Sequence, residues 1–246
     1  MLKDIYQLTR MKDTAVLLGC GPTINDIDTE EWERIKKCDM WAMNNWVFHP
    51  DIVPDFYHVE VKGYGYAPLR RTFIKKRKQY ETVNFIFPSG KYVTPTGSFR
   101  VATHAVLDGG FHKYLYEWTN RETPKDSLVN AKYEMPKELI YRHYKASLPS
   151  ILEIMYKMGY KYIYLYGIEF INSFYFYTGG DPKYGEVYHQ TNKAHEGKDP
   201  NRPHNTHRLK DFVVDFNKQH MIPYGKELFV GTKDSALYPE LKYQGV

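Results

Sequence analysis

The sequence predicts an α/β protein: a Rossmann-like, doubly wound, mostly parallel sheet with a long lid loop over its site. Three observations predict it. The run AVLL at 15–18 is apolar at every position and is bounded by Gly19, as an interior strand buried on both faces requires. A helix and two further strands then follow this strand in that order, which is how a doubly wound sheet begins. Later, an apolar helix, a glycine and a second apolar strand repeat the unit in SLPSILEIMYKMGYKYIYLYG at 147–167.

Taken in order, TAVLLG at 14–19 is the first interior strand after a short polar start. DTEEWERIKKC at 28–38 carries acids in its first turn and lysines in its last, the order a helix dipole favours, and predicts a helix. MWAMNNWVF at 40–48 predicts a strand broken at Asn44 and Asn45, and DFYHVEV at 55–61 predicts the next. YAPLRRTFIKKRKQY at 66–80 reads as a helix whose cations face solvent or a ligand, and TVNFIFP at 82–88 as a strand. From 89 to 145 Tyr, Thr, Gly and Pro mix without clean periodicity, which predicts short helices and loops with room for a lid.

A helix over 148–158 stops at Gly159, and the strand after it ends at Gly167 and Glu169. Residues 172–206 are rich in Tyr, Gly, Asp, Asn, Pro and His and read as a long loop. A connection of that length inside a compact domain is usually functional, often an active-site lid. HRLKDFVVDFNKQHM at 207–221 returns to helical spacing, IPYGKELF at 222–229 holds a short strand, and DSALYPELKY at 234–243 predicts a last short helix. The chain reads as one domain over 1–246, with 62–140 as its least defined region or an insertion.

Composition narrows the function classes. A hydrophobic share of 42% with 26% charged residues is that of a globular chain, which argues against disorder over most of its length. The net charge of +5 suits a negatively charged substrate or partner without demanding one. Two cysteines, Cys20 and Cys38, make no disulfide framework, and a reduced cytoplasmic setting is the simplest fit. No segment has signal-peptide order and no apolar run approaches the ~20 residues that span a bilayer, so the expectation is a soluble protein, peripheral to a membrane at most.

The first strand ends in GCGPT at 19–23. Glycines there let main-chain N–H groups approach an anion, and a following helix N-terminus adds a favourable dipole, so a phosphate site is one reading. A plain strand-to-helix turn is the other, because two glycines around Cys20 make neither a dinucleotide fingerprint nor a P-loop. His189, His195, His204 and His207 match no tight zinc spacing, and GGDP at 179–182 lacks the second Asp of a metal-diphosphate clamp. No metal site is expected.

Four separated segments together resemble the bacterial sialyltransferases of glycosyltransferase family 42: LLGCGPTINDID, WAMNNWVF, GYKYIYLYGIEF behind a helix opened by Ser147, and PHNTHRLKDFVVDFNKQHMIPYGKELFVGTKDSALY. The resemblance implies a single GT-A-like domain that transfers a sugar from a CMP- or UDP-activated donor to an acceptor hydroxyl, with no cofactor and no metal. It implies a nucleotide lined by Gly19, Cys20, Gly21, Pro22, Thr23 and Asn44, with His58, Ser147 and Gly167 beside it, Glu169 near the ribose, and Tyr177 on the donor phosphate. The chain departs from the family pattern at Cys20 and His58, where the family has Asn, and at Ile171, where it has a second phosphate tyrosine. These departures favour a nucleotide-sugar transferase over sialyl transfer in particular.

Glycosyl transfer needs a base for the attacking hydroxyl and a partner for the leaving phosphate. A His near its ordinary pKa of ~6.5 suits the first role, and the resemblance points to His204 or His207, with His204 favoured because His207 can simply open the helix. Asn44 can also cap a turn, and Ser147 can be a helix cap as well as a ligand. The expected partners are a nucleotide-sugar donor and a glycan or other hydroxyl acceptor, nucleic acid included; a homo-oligomer is compatible with the sequence. Two alternatives stand beside this: a nucleic-acid-binding protein using the basic stretch RRTFIKKRKQY, and a pyrophosphokinase-like enzyme with a similar glycine turn.

Overall fold

A computed structural model of the chain describes residues 2–59, 66–89, 91–94, 97–100, 112–119, 141–142, 147–170, 175–177 and 206–246. The first half holds β1 (Leu2–Asp4), β2 (Thr14–Leu18), α1 (Thr29–Ile35), β3 (Asp39–Met43), β4 (Phe56–His58), α2 (Tyr66–Lys75) and β5 (Asn84–Ser89). There follow β6 (Lys91–Thr94), β7 (Gly97–Arg100), β8 (His112–Thr119), β9 (Tyr141–Arg142), α3 (Ser147–Lys157) and β10 (Tyr162–Tyr166). The chain closes with α4 (Thr206–Phe216), a π-helical turn over Asn217–Met221, β11 (Glu227–Val230) and β12 (Lys242–Tyr243).

The main sheet runs β1-β8-β5-β4-β3-β2-β10-β11-β12, with β9 beside β8, and every pairing within it is parallel. β6 and β7 form a separate antiparallel pair. From β2 the chain lays β3, β4, β5 and β8 to one side, then returns through α3 to set β10 against the opposite side of β2. Neighbouring strands that send the chain in opposite directions open a crevice beyond their carboxyl ends, where open α/β sheets bind ligands. Here that point lies between β2 and β10.

The apolar run of β2 explains why it sits at the centre. Ala15 and Leu17 face a core layer built on α3 and α4, with Ile151, Leu152 and Val213, while Val16 and Leu18 face a second layer with Ile35, Trp46, Phe73 and Tyr80. A strand buried on both faces needs apolar side chains at both parities, and β2 supplies them. α1 forms where its charge order predicts, capped by the Asp28 side chain accepting from the Glu31 amide at 2.8 Å.

Two expectations are corrected. Residues 89–145 contain the sheet strands β8 and β9 and the β6/β7 pair among the described residues, rather than only short helices and loops. β8 lies near the sheet margin, where an exposed His112 is tolerated beside a buried Tyr114, so it needs no continuous apolar run. The segment 234–243 forms turns and then β12, not a helix. Its backbone is taken by other partners: the Ala236 amide donates to the distant Glu169 carbonyl at 2.7 Å, and the Leu237 amide to the nearby Ser235 Oγ at 3.2 Å. The region 172–206, read as a lid, lies outside the described residues except for Tyr175, Phe176, Tyr177 and Thr206.

Candidate functional site

The turn after β2 meets the turn after β10. The Gly19 amide donates to the Tyr166 carbonyl at 2.7 Å and the Gly21 amide to the Gly167 carbonyl at 2.9 Å, so the two turns are laced together. A β-carbon on Gly19 would overlap the Gly167 carbonyl, and one on Gly21 would overlap the Glu169 carboxylate. Gly167 itself sits at φ +66°, a conformation that glycine adopts without steric cost. The paired glycines are therefore required by close approach of two chain segments.

A carboxyl group sits on the turn, and it belongs to the protein. Glu169 Oε1 accepts from the Thr23 amide at 3.1 Å and from the Thr23 hydroxyl. Burial raises the Glu169 pKa above the ordinary carboxylate range, and the two Thr23 hydrogen bonds pull against that rise. Pro22 opens a short 3₁₀ turn over Pro22–Asp26 in which its missing N–H loses nothing. Asn25 Nδ2 donates to the Phe176 carbonyl at 2.8 Å and ties this turn to the segment that carries Tyr177.

Cys20 bridges to the neighbouring strand: its thiol reaches the Met43 carbonyl at 3.4 Å, and its own carbonyl accepts from the Phe176 amide at 2.9 Å. Burial pushes the thiol up to about 12, so it is no nucleophile. Asn44, directly after β3, holds φ +51°, which Asn tolerates better than other side-chain-bearing residues. The Tyr57 hydroxyl donates to the Asn44 carbonyl at 2.6 Å and accepts from the Val47 amide at 2.8 Å, fixing that conformation. Asn44 Nδ2 donates to Ser147 Oγ at 3.3 Å and so joins the end of β3 to the start of α3. His58 is fully buried at the end of β4, with Met43 as its register partner.

Tyr177 is also fully buried, stacked on Tyr175 at 5.2 Å between ring centroids and edge-on to Phe48. Its hydroxyl accepts from Asn45 Nδ2 at 2.7 Å, and burial raises its pKa well above the phenol range. Phe170, one residue after Glu169, adopts φ +57°, which is unusual for a bulky side chain. Two left-handed non-glycine residues, Asn44 and Phe170, thus flank the crevice among the described residues.

The structure brings together Gly19, Cys20, Gly21, Pro22, Thr23, Gly167 and Glu169 in one group, joined through Cys20 to Met43, whose neighbour Asn44 contacts Ser147, with Tyr177 held behind it by Asn45. His204 lies outside the described residues. His207 falls in α4, one residue after its start at Thr206. Sequence reading missed Asn45, Asn25 and Ser235. Ser235 Oγ donates to the Ile168 carbonyl at 2.8 Å and braces the Gly167–Glu169 turn from the segment after β11, a contact with no local signature. Of the basic helix, Lys76 is half-buried and donates to the His49 and Pro50 carbonyls, so it is engaged within the protein. No group of three or more metal-ligating side chains occurs among the described residues. Comparison with known proteins returns no matching family model, no matching curated protein and no matching solved structure.

Proposed function

We propose that the chain is a nucleotide-sugar glycosyltransferase whose donor nucleotide lies across the carboxyl ends of β2, β3 and β10. The observation that carries this reading is the convergence of Thr23, Asn44, Ser147 and Glu169 on one crevice at the point where the chain reverses direction across the sheet. Glu169 is held by Thr23 through Oε1, with Oε2 over Gly21, and a carboxylate so fixed suits acceptance of ribose hydroxyls. The start of α3, held against Asn44, offers main-chain N–H groups and a helix dipole to the diphosphate or phosphate.

In this reading the acceptor hydroxyl is deprotonated by His204, or by His207 if the base lies within the helix, and the departing phosphate is met by the half-buried Tyr175, on whose ring the fully buried Tyr177 is stacked. Transfer needs no metal. The reading is tested by thermal shift with CMP, UDP, GDP and ADP, with and without magnesium, since a ligand at a hundred times its Kd adds ~2.7 kcal/mol of stability. No shift with any nucleotide overturns it, and a shift only for ADP with magnesium turns it to pyrophosphoryl transfer. With a donor in hand, His204→Ala lowers kcat by about 10² to 10⁴ with donor affinity kept, and His207→Ala is much milder. Activity abolished by EDTA and restored by magnesium or manganese would remove the metal-free mechanism.

A further inference from the structure

The opposite end of the sheet carries a different kind of surface. Among the described residues, the large apolar side chains that are at least half exposed are Met11 at 60%, Ile74 at 62%, Ile222 at 50% and Tyr224 at 67%. All four belong to segments at the amino ends of the strands: Met11 precedes β2, Ile74 ends α2 before β5, and Ile222 and Tyr224 precede β11. These four share one edge, while the less exposed Tyr238 and Tyr243 lie in the segment that follows β11.

That edge is also cationic. Helix C-termini point to it in a parallel α/β sheet, and Lys36, Lys75, Lys157 and Lys218 lie in or just after those last turns. The connections add Arg10, Lys12, Lys161 and Lys226. Lys226 lies over the Tyr156 ring at 4.1 Å, and Tyr156 meets Tyr224 edge-on at 6.4 Å, so the cation and the exposed ring form one patch. The acids on this edge are partly taken up: Asp13 pairs with Arg10, Glu33 with Lys36 at 2.6 Å, Glu227 with Lys242 at 2.8 Å, and Asp39 is buried, while Glu81 is exposed.

The spacing distinguishes between occupants. With strands ~4.8 Å apart, Ile74 beside β5 and Tyr224 beside β11 are separated by five strand spacings, about 24 Å. A protein interface buries a contiguous apolar centre, whereas these are single side chains spaced across the sheet and interleaved with cations. A flat surface with anionic headgroups over an apolar interior meets each of them at once.

We propose that the amino edge of the sheet docks on an anionic lipid bilayer, with Met11, Ile74, Ile222 and Tyr224 entering the headgroup boundary and the surrounding lysines meeting lipid phosphates. The crevice between β2 and β10 then faces away from the membrane. This inference does not rest on the glycosyltransferase reading.

The test is co-sedimentation of the full chain with phosphatidylcholine vesicles and with phosphatidylcholine–phosphatidylserine vesicles. The expected result is partition to the mixed vesicles only, weakened by salt as the screening length shortens. Lys161→Glu, which reverses an exposed charge, lowers that partition roughly thirtyfold, and the double change Ile222→Ser and Tyr224→Ser lowers it at least tenfold. Both variants should melt like the parent, because the side chains they alter are largely exposed. No binding to either vesicle, equal binding to both, or undiminished binding by the variants overturns the proposal. So does a dimer in lipid-free solution that Tyr224→Ser dissociates, which would assign the patch to a second copy.

Discussion

Glu169 is where burial, charge and chain geometry meet in one side chain. It is only 6% exposed, and desolvation raises its pKa. The folded state therefore holds the proton to higher pH than the unfolded chain does, and the stability linked to this group falls as pH rises through the folded-state range. Glu169→Gln keeps an oxygen to accept from Thr23 and cannot ionise, so it should flatten that slope and raise the melting temperature at neutral pH. Thermal melts of parent and variant from acid to neutral pH check it, and parallel curves would mean that Glu169 titrates normally. Gly21 belongs to the same contact, since any β-carbon there meets the Glu169 carboxylate. Gly21→Val should cost about 1–3 kcal/mol by overpacking and abolish the nucleotide-induced shift while circular dichroism keeps its α/β form. Retained nucleotide affinity in the folded variant would take the turn out of the site. The sequence announced the glycines as a place of close approach but not what approaches, because Thr23 and Glu169 are 146 residues apart.

At the scale of elements, β3 and α3 show how a strand end becomes a site. Asn44 leaves β3 in the left-handed region at φ +51°, anchored by Tyr57 through its carbonyl and by Ser147 through its amide. Asn44→Ala should destabilise the protein more than Asn44→Gly by about 1 kcal/mol, since glycine accepts that φ freely and alanine does not. Urea unfolding with an unchanged slope measures the difference. Equal losses would mean that the side-chain contact, not the backbone, dominates. The break in MWAMNNWVF was legible because two polar residues end an apolar run. That Asn45 would face Tyr177 was not, because a 3₁₀ turn over Asn44–Phe48 sends consecutive side chains in different directions.

Across the whole molecule, the two core layers share the central strands, so damage to one strand reaches both. Leu165 in β10 is 1% exposed and packs in the layer of α3 and α4, while the adjacent Tyr166 packs in the other. Leu165→Ala should cost about 2–5 kcal/mol in denaturant unfolding, as deletion from a well-packed core does. A loss under 1 kcal/mol would show that the layer collapses around the gap. By itself the sequence determined the α/β class, the central β2, the helix–glycine–strand unit at 147–167 and the glycine turn, because those depend on apolar runs, capping residues and punctuation between chain neighbours. Only the tertiary structure decided that Glu169 fills the turn, that Tyr177 is buried behind Asn45, that 234–243 is drawn out of helical form by Ser235 and Glu169, and that the four most exposed apolar residues fall at the amino ends of the strands. These depend on crossovers that bring distant segments together, and the free energy of such contacts exists only once the sheet has set its strand order.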